Sequence, residues 1–174
     1  MAIRDFEAWR AELLEAGDLP QDVPDDPEAE EEVEEQAERY RELVKEVTGR
    51  EDVEVVIALI ASMRAEEDEG AYDDTIETLE IFPDLVLGRG AGLAWETLLS
   101  IPKKFSGQVL YECCHRGAES IGAFNEVYAS LQPEAQRLLG ALINHHETST
   151  WLSGPECGLL RPVRDAFEAF FDSL

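Results

Sequence analysis

The apolar residues of the N-terminal third recur at helical spacing and are followed by helix stop signals. A first amphipathic helix is predicted over 3–16, with Gly17 as its stop. An acidic loop with three prolines follows at about 18–27, and we expect it to be the most mobile part of the chain. A second helix is predicted over 27–47, with Pro27 in its first turn.

Charged residues along the second predicted helix are ordered as its dipole favours. Glutamates crowd the first turns, near the positive end of the helix, whereas Arg39, Arg41 and Lys45 come later. Glu35 and Arg39 are spaced i,i+4, so we expect them to form an ion pair worth roughly a few tenths of a kcal/mol. The order of charges therefore supports a helix in this acidic segment.

The next segment, EDVEVVIALIASMRAEEDEG over 51–70, is apolar on nearly all sides in its first half. Because β-branched residues dominate that half, a buried strand is one interpretation. The segment continues to Gly70 without a break and has no strand partner nearby, so a buried helix is favoured. We therefore predict a third helix that runs to Gly70.

Short apolar segments separated by proline and glycine fill the C-terminal half, which is typical of short helices joined by tight turns. The predicted helices are 74–82, 92–101, 105–115, 118–131, 133–146 and 162–173. The glycines of LGRGAGLAWE match no phosphate-binding motif and predict a flexible connection instead. The sequence has neither an alternating strand pattern nor a hairpin turn signal.

Together these elements predict an all-α fold, either a compact bundle or a short irregular α-solenoid of about eight to nine helices with no significant β-sheet. The length of 174 residues and the 44% of hydrophobic residues suit a single domain with a substantial core. No internal repeat is visible, so both architectures stay open.

Charge is distributed very unevenly along this predicted domain. The net charge is −25, and residues 1–80 hold 28 of the 39 carboxylates. Such a field repels nucleic acid and anionic membrane surfaces, whereas it attracts cations and basic proteins. The charge therefore argues against a nucleic-acid or membrane partner and favours a basic protein.

Three features bear on where the protein resides. The N-terminal segment is charged and lacks the apolar stretch of a signal peptide. The longest apolar run, 55–61, is far shorter than the roughly 20 residues that span a bilayer. The three cysteines are an odd number, and the adjacent pair Cys113 and Cys114 makes a poor disulfide framework. We therefore expect a cytoplasmic protein.

The segments ECCHRG, INHHETSTW and PEC carry the residues that could bind zinc or act as a thiol nucleophile. Adjacent helical residues point about 100° apart, so neither Cys113–Cys114 nor His145–His146 supplies two converging ligands. The two adjacent cysteines also fall late in their predicted helix, away from the N-terminal end that lowers a thiol pKa. Cys157 lies in a predicted turn, a better place for a nucleophile. We expect buried thiols and histidines here, with no catalytic and no metal-binding residue.

Glu31, Glu32 and Glu35 form an E-E-x-x-E pattern. Over these five residues the chain resembles the first half of the magnesium site in the all-α nucleotide pyrophosphatases of the MazG type. The resemblance implies a metal-dependent enzyme that uses these carboxylates. That family also requires an E-x-x-D pair on the following helix, which the next predicted helix of this sequence lacks. A solvated, charged helix face is the alternative interpretation.

A second acidic cluster extends over 66–74, and its carboxylates lack the spacing of an EF-hand calcium loop. Its local role is predicted to be a helix stop at Gly70 and a new helix start at Asp73 or Asp74. Glu77 follows Asp74 by three residues, which predicts a capping-box arrangement.

The acid-rich half predicts a protein-binding module. Our leading hypothesis is an acidic inhibitor of the immunity-protein or antitoxin type, which binds and neutralises a basic, toxin-like partner such as a nuclease domain. The predicted partner-binding residues are Glu31, Glu32, Glu34, Glu35, Glu66, Glu67, Asp68, Glu69, Asp73, Asp74 and Tyr72. The alternatives are a helical adaptor or scaffold and the metal-dependent enzyme described above. No cofactor is expected for the inhibitor or the adaptor.

Tight binding by such a surface also requires aromatic anchors. The candidates are Tyr40, Tyr72, Trp95 and Trp151, each of which equally suits ordinary core packing.

Overall fold

The computed structural model describes residues 3–21, 27–68, 70–149 and 151–161. Within these ranges the chain forms nine α-helices and no strand, which confirms the all-α prediction. The helices are α1 (Phe6–Ala16), α2 (Pro27–Val44), α3 (Val53–Ser62), α4 (Asp73–Glu80), α5 (Asp84–Leu93), α6 (Trp95–Ser100), α7 (Lys103–His115), α8 (Ala118–Ser130) and α9 (Pro133–Ser149). None of the helices in the described ranges is long and apolar enough to cross a membrane.

The core forms where the N-terminal helices meet the central ones. Helix α3 packs against α1 and α5, α5 packs in turn against α8, and α6 packs against α9. At the centre, the ring of Tyr72 makes edge-to-face contacts with Tyr40 and Phe105, at centroid distances of 5.4 and 4.9 Å. Helix α1 is tied to α2 by the indole N–H of Trp9, which donates to the carbonyl oxygen of Leu43 at 3.0 Å.

The third helix is shorter than the sequence predicts, because it ends at Ser62 rather than Gly70. The Ser62 hydroxyl donates back to the carbonyl oxygen of Leu59 at 2.7 Å, which satisfies one of the free carbonyls of the last turn. The carboxylate of Asp68 accepts from the N–H of Tyr72 at 2.8 Å and so organises the turn before α4. The predicted continuation of the helix to Gly70 was wrong. The side chains of Ser62 and Asp68 bind backbone groups and so compete with a regular helix beyond Ser62.

The predicted flexible connection over LGRGAGLAWE was also wrong, because most of it is α5. The three glycines let α5 approach its neighbours closely. A β-carbon on Gly88 would collide with the carbonyl oxygen of Ser120, and one on Gly90 would lie 2.5 Å from Val56. Glycine costs helix stability, but close packing against α3 and α8 outweighs that cost here.

Several predicted boundaries shift by a few residues. The second helix ends at Val44, three residues before its predicted end, and the predicted helix 92–101 is reduced to Trp95–Ser100. The predicted capping box of Asp74 and Glu77 is absent, since α4 begins at Asp73 without a side-chain cap hydrogen bond. The predicted helix 162–173 lies outside the described residues.

Candidate protein-interaction surface

The N-terminal half of α2 exposes four of the predicted partner-binding carboxylates. Because the opposite side of α2 buries Ala37, Tyr40, Leu43 and Val44 against the core, the acidic side faces solvent. Among the described residues, none forms an ion pair with any of these four carboxylates. We call them the acidic ridge: Glu31, Glu32, Glu34 and Glu35.

The C-terminal half of α2 has its charge compensated. Arg39 donates through Nε and Nη2 to one carboxylate oxygen of Glu12 on α1, at 2.8 and 2.5 Å. A second contact, at 2.9 Å, joins Arg39 to Glu42, and Arg41 pairs with Glu38 at 3.7 Å. The predicted Glu35–Arg39 pair was therefore wrong, because the guanidinium turns toward α1 instead.

Two glutamine side chains bring the two acidic clusters close to one short segment. Gln36 of α2 donates to the carbonyl oxygen of Asp18 at 3.1 Å. Gln21 and Glu67 bind each other reciprocally: the Gln21 amide donates to the Glu67 carbonyl and accepts from the Glu67 N–H, both at 2.9 Å. The backbone of Glu67 and helix α2 therefore contact the same segment, 18–21, and the side chains of Glu66 and Glu67 are exposed.

Two predicted contact residues lie in the interior instead. Tyr72 is fully buried, and Asp68 is 4% exposed. The Asp68 carboxylate is held 3.6 Å from the ammonium of Lys104 on α7. These two residues anchor the loop before α4 and are not available to a partner in this conformation.

The remaining predicted contacts of the second cluster differ from one another. Asp73 is exposed, whereas Asp74 is half-buried and lies 3.8 Å from the ammonium of Lys45. Glu69 lies outside the described residues. The exposed acids of this cluster are thus Glu66, Glu67 and Asp73.

Buried tyrosine hydroxyls form a polar network beneath the acidic segments. Tyr40 contacts the hydroxyls of Ser62 and Thr75 at 2.8 and 2.5 Å. Burial raises the pKa of both Tyr40 and Tyr72, because a phenolate is poorly solvated in the core. Both rings therefore serve packing and hydrogen bonding, and of the four candidate anchors only Trp95 and Trp151 keep some exposure.

The cysteine and histidine residues do not assemble into a metal site within the part of the chain that the structure describes. Cys113 and Cys114 are buried, and burial raises the pKa of both thiols, that of Cys114 to about 12. Cys157 is exposed in the turn where it was predicted. The thiols on α7 are thus protonated and unreactive at neutral pH.

A buried serine–histidine pair escaped the sequence prediction. Nε2 of His146 on α9 lies 3.2 Å from the hydroxyl of Ser106 on α7, and both side chains are almost fully buried. Because no more than 2% of His146 is exposed, the pair does not offer an open site to a substrate. No local signal predicts the contact, since 40 residues separate the two positions.

A shallow cavity of about 570 Å³ lies near the start of α3 and is lined by Ile3, Thr48, Arg50 and Glu51. The carboxylate of Glu51 accepts from the N–H and hydroxyl of Thr48 at 3.0 and 2.7 Å, and from the N–H of Arg50 at 3.0 Å. Burial alone would raise the pKa of Glu51, but these hydrogen bonds outweigh it and lower the pKa. The carboxylate in the cavity wall is therefore already hydrogen-bonded to the neighbouring backbone and hydroxyl groups.

Comparison with known proteins finds no matching protein family, curated sequence relative or solved structure.

Proposed function

We propose that the protein is a binding module that presents the acidic ridge of α2 to a basic protein surface. The observation that supports this function is the contrast along α2. Arginines neutralise the carboxylates of its C-terminal half, whereas the ridge carboxylates form no ion pair with any described residue. Like charges held side by side cost free energy, which a cationic partner would recover.

The physical action is electrostatic attraction followed by occupation of a basic groove. The net charge of −25 speeds encounter with a basic protein, and the effect falls as salt rises. A helix that displays carboxylates can fill a groove that otherwise accepts phosphates. An inhibitor of the immunity-protein or antitoxin type, acting on a toxin-like nuclease domain, is the concrete form that we propose.

Affinity capture at rising salt tests this function. The tagged protein is incubated with lysate of the cells that make it, at about 50, 150 and 500 mM salt. We expect basic proteins to be captured at the lowest salt and lost at the highest. The proposal fails if the proteins captured are not basic, or if their capture is insensitive to salt.

A charge-matched pair of variants assigns the binding to the ridge. The ridge variant changes its four glutamates to glutamine. The control variant removes the same charge from four exposed glutamates of α4 and α8: Glu77, Glu80, Glu119 and Glu126. We expect the ridge variant to slow association by about tenfold and the control variant to change it much less. Equal slowing in both would show that net charge, not the ridge, drives the encounter.

A further inference from the structure

The segment 151–161 folds back over the end of α9, and we call it the C-terminal strap. The N–H of Leu152 donates to the carbonyl oxygen of His146 at 3.1 Å. The carboxylate of Glu147 accepts from the N–H of Gly158 at 2.8 Å and from the guanidinium of Arg161. Two successive residues at the end of α9 therefore hold both ends of the strap.

The strap also covers one face of α7. The Trp151 ring lies directly on Gly107, where a β-carbon would collide with it, and its centroid is 6.3 Å from that of Tyr111. Gly107, Tyr111 and Cys114 follow one another at helical spacing, so they share this face. Leu152 and Leu160 of the strap are fully buried. Opening of the strap would therefore expose apolar surface and bring solvent to Cys114.

The imidazole of His146 lies at the base of this arrangement with half of its hydrogen-bonding capacity unused. The Ser106 hydroxyl donates to the carbonyl oxygen of Lys103 at 3.2 Å, so its oxygen accepts from Nε2–H of His146. Nδ1 is then the bare nitrogen, and it is buried without a partner among the described residues. A proton on Nδ1 would place a cation in a site that offers it no acceptor.

The charged groups around His146 make protonation still less favourable. His145 precedes it on α9, with ring centroids 5.1 Å apart, and Lys103 contributes a positive charge from α7. The nearest carboxylate in sequence, Glu147, is engaged with Gly158 and Arg161 of the strap. Helix α6 also packs against α9, and its one acid, Glu96, is exposed.

We propose that His146 is an acid-operated latch for the C-terminal strap. At neutral pH the uncharged imidazole lets α9, α7 and the strap pack together. On acidification, protonation of the imidazole favours a conformation in which the strap is released and His146 reaches water. The charged groups that act on the imidazole, His145 and Lys103, lie on α9 and α7, so we expect the helices of the N-terminal half to stay folded. This proposal is independent of the acidic ridge.

The direction of the effect follows from the protonation of the imidazole. Burial, His145 and Lys103 lower the pKa of His146 from 6.5 to about 4. A histidine with a lowered pKa stabilises the closed form fully above pH 6.5, and this contribution is lost as the pH falls from 6.5 to about 4. The strap is therefore expected to open within this range.

Hydrogen exchange followed by mass spectrometry, corrected for the intrinsic pH dependence of amide exchange, tests the latch. Between about pH 6.5 and 4.5 we expect the protection of strap peptides to fall by roughly 40-fold in all. Peptides from α3 and α5 should keep their protection, because they lie outside the latch. Loss of protection in the strap and the core together would overturn the proposal.

Three variants separate the latch from a merely structural histidine. His146→Gln and His146→Phe both remove the titrating group, so strap protection should not change between pH 6.5 and 4.5 in whichever of them folds. Ser106→Ala keeps the imidazole but removes its hydrogen-bond partner, so it should lower protection at neutral pH and retain the acid response. An unchanged acid response in the His146 variants would refute the latch.

Reactivity of Cys114 provides a second readout. In a Cys157→Ser background, 4,4′-dithiodipyridine, which reacts with thiols in acid, would report access to the face of α7 beneath the strap. We expect its rate with Cys114 to rise by about fivefold from pH 6.5 to 5.5, and not to rise when His146→Gln is added. A rate that rises equally in both proteins would contradict the latch.

Discussion

The Tyr72 hydroxyl donates a hydrogen bond to the carbonyl oxygen of Gly17, 2.5 Å away and 55 residues earlier in the chain. The hydroxyl oxygen of Tyr72 in turn accepts from the N–H groups of Arg64 and Ala65, at 3.1 and 3.0 Å. One side chain therefore satisfies three backbone groups in two loops, those after α1 and α3. Because buried backbone groups are expensive to leave unpaired, this oxygen fixes both loops.

Tyr72→Phe is expected to lower the free energy of unfolding by about 2 to 4 kcal/mol, because it leaves the Gly17 carbonyl and the Ala65 N–H without a partner. The N–H of Arg64 keeps its bond to the carbonyl oxygen of Ser62 at 3.0 Å. Tyr40→Phe is the matched control. Loss of the Tyr40 hydroxyl affects only the hydroxyls of Ser62 and Thr75, and the Ser62 hydroxyl keeps its bond to the carbonyl oxygen of Leu59. Urea denaturation of both variants checks the order, and an equal or larger cost for Tyr40→Phe would contradict it.

Gly88→Ala is expected to destabilise the protein by more than about 2 kcal/mol, because its β-carbon would collide with the Ser120 carbonyl on α8. Gly122→Ala on α8 is the control. Gly122 is exposed in a helix, and no atom lies within 4 Å of a β-carbon placed there. That change should stabilise the protein by about 0.5 to 1 kcal/mol. Thermal unfolding of the two variants should therefore shift in opposite directions.

Glu51→Gln is expected to lower stability at pH 7 by about 1 kcal/mol, a modest value because solvent screens this partly exposed carboxylate. The folded-state pKa of Glu51 is lowered from 4.5, so its contribution is present above pH 4.5 and is lost as the pH falls through the folded value. The wild-type and variant stabilities should then converge as the pH falls below 4.5. Glu54→Gln, which removes the same charge from an exposed neighbour on α3, is the control and should change the stability at pH 7 much less.

The four-residue ridge variant is expected to be as stable as the wild type or more stable by up to about 1 kcal/mol, because it relieves repulsion and breaks no ion pair with a described residue. Glu12→Gln should instead cost up to about 1 kcal/mol, since a neutral amide oxygen accepts from the Arg39 guanidinium more weakly than the carboxylate does. Thermal unfolding at low and high salt distinguishes the two effects. A large loss of stability in the ridge variant would assign the ridge a structural role.

The elements with a strong local pattern were predictable from the sequence, and those determined by distant contacts were not. The apolar periodicity of α1 and α2 identified them as helices. The glycines of α5 indicated a loop in the sequence. They stabilise the fold by allowing close packing on Ser120 and Val56, and only the folded structure brings these residues near α5. Tyr72 was predicted to be a partner-binding residue, with core packing as the alternative, and its ring packs on Tyr40 and Phe105.

For the candidate surface, likewise, the exposed glutamates were predictable from the sequence and the contacts between helices were not. The ridge glutamates follow from helical spacing alone, since the opposite side of α2 is apolar. That Arg39 neutralises Glu12 rather than Glu35 depends on how α1 crosses α2, which no local pattern contains. The pairing of Ser106 with His146 likewise requires two helices to meet.

The hydrogen bond between Tyr72 and Gly17 also affects the order in which the helices unfold. Together with the bond from Trp9 to Leu43, it makes α1 part of the same cooperative unit as the centre of the core. Unfolding of α1 alone would remove the Gly17 carbonyl from the buried Tyr72 hydroxyl. It would also expose the Tyr40–Tyr72–Phe105 cluster to water. Partial unfolding that begins at this end of the chain is therefore disfavoured, and α1 should be among the last helices to exchange its amide hydrogens.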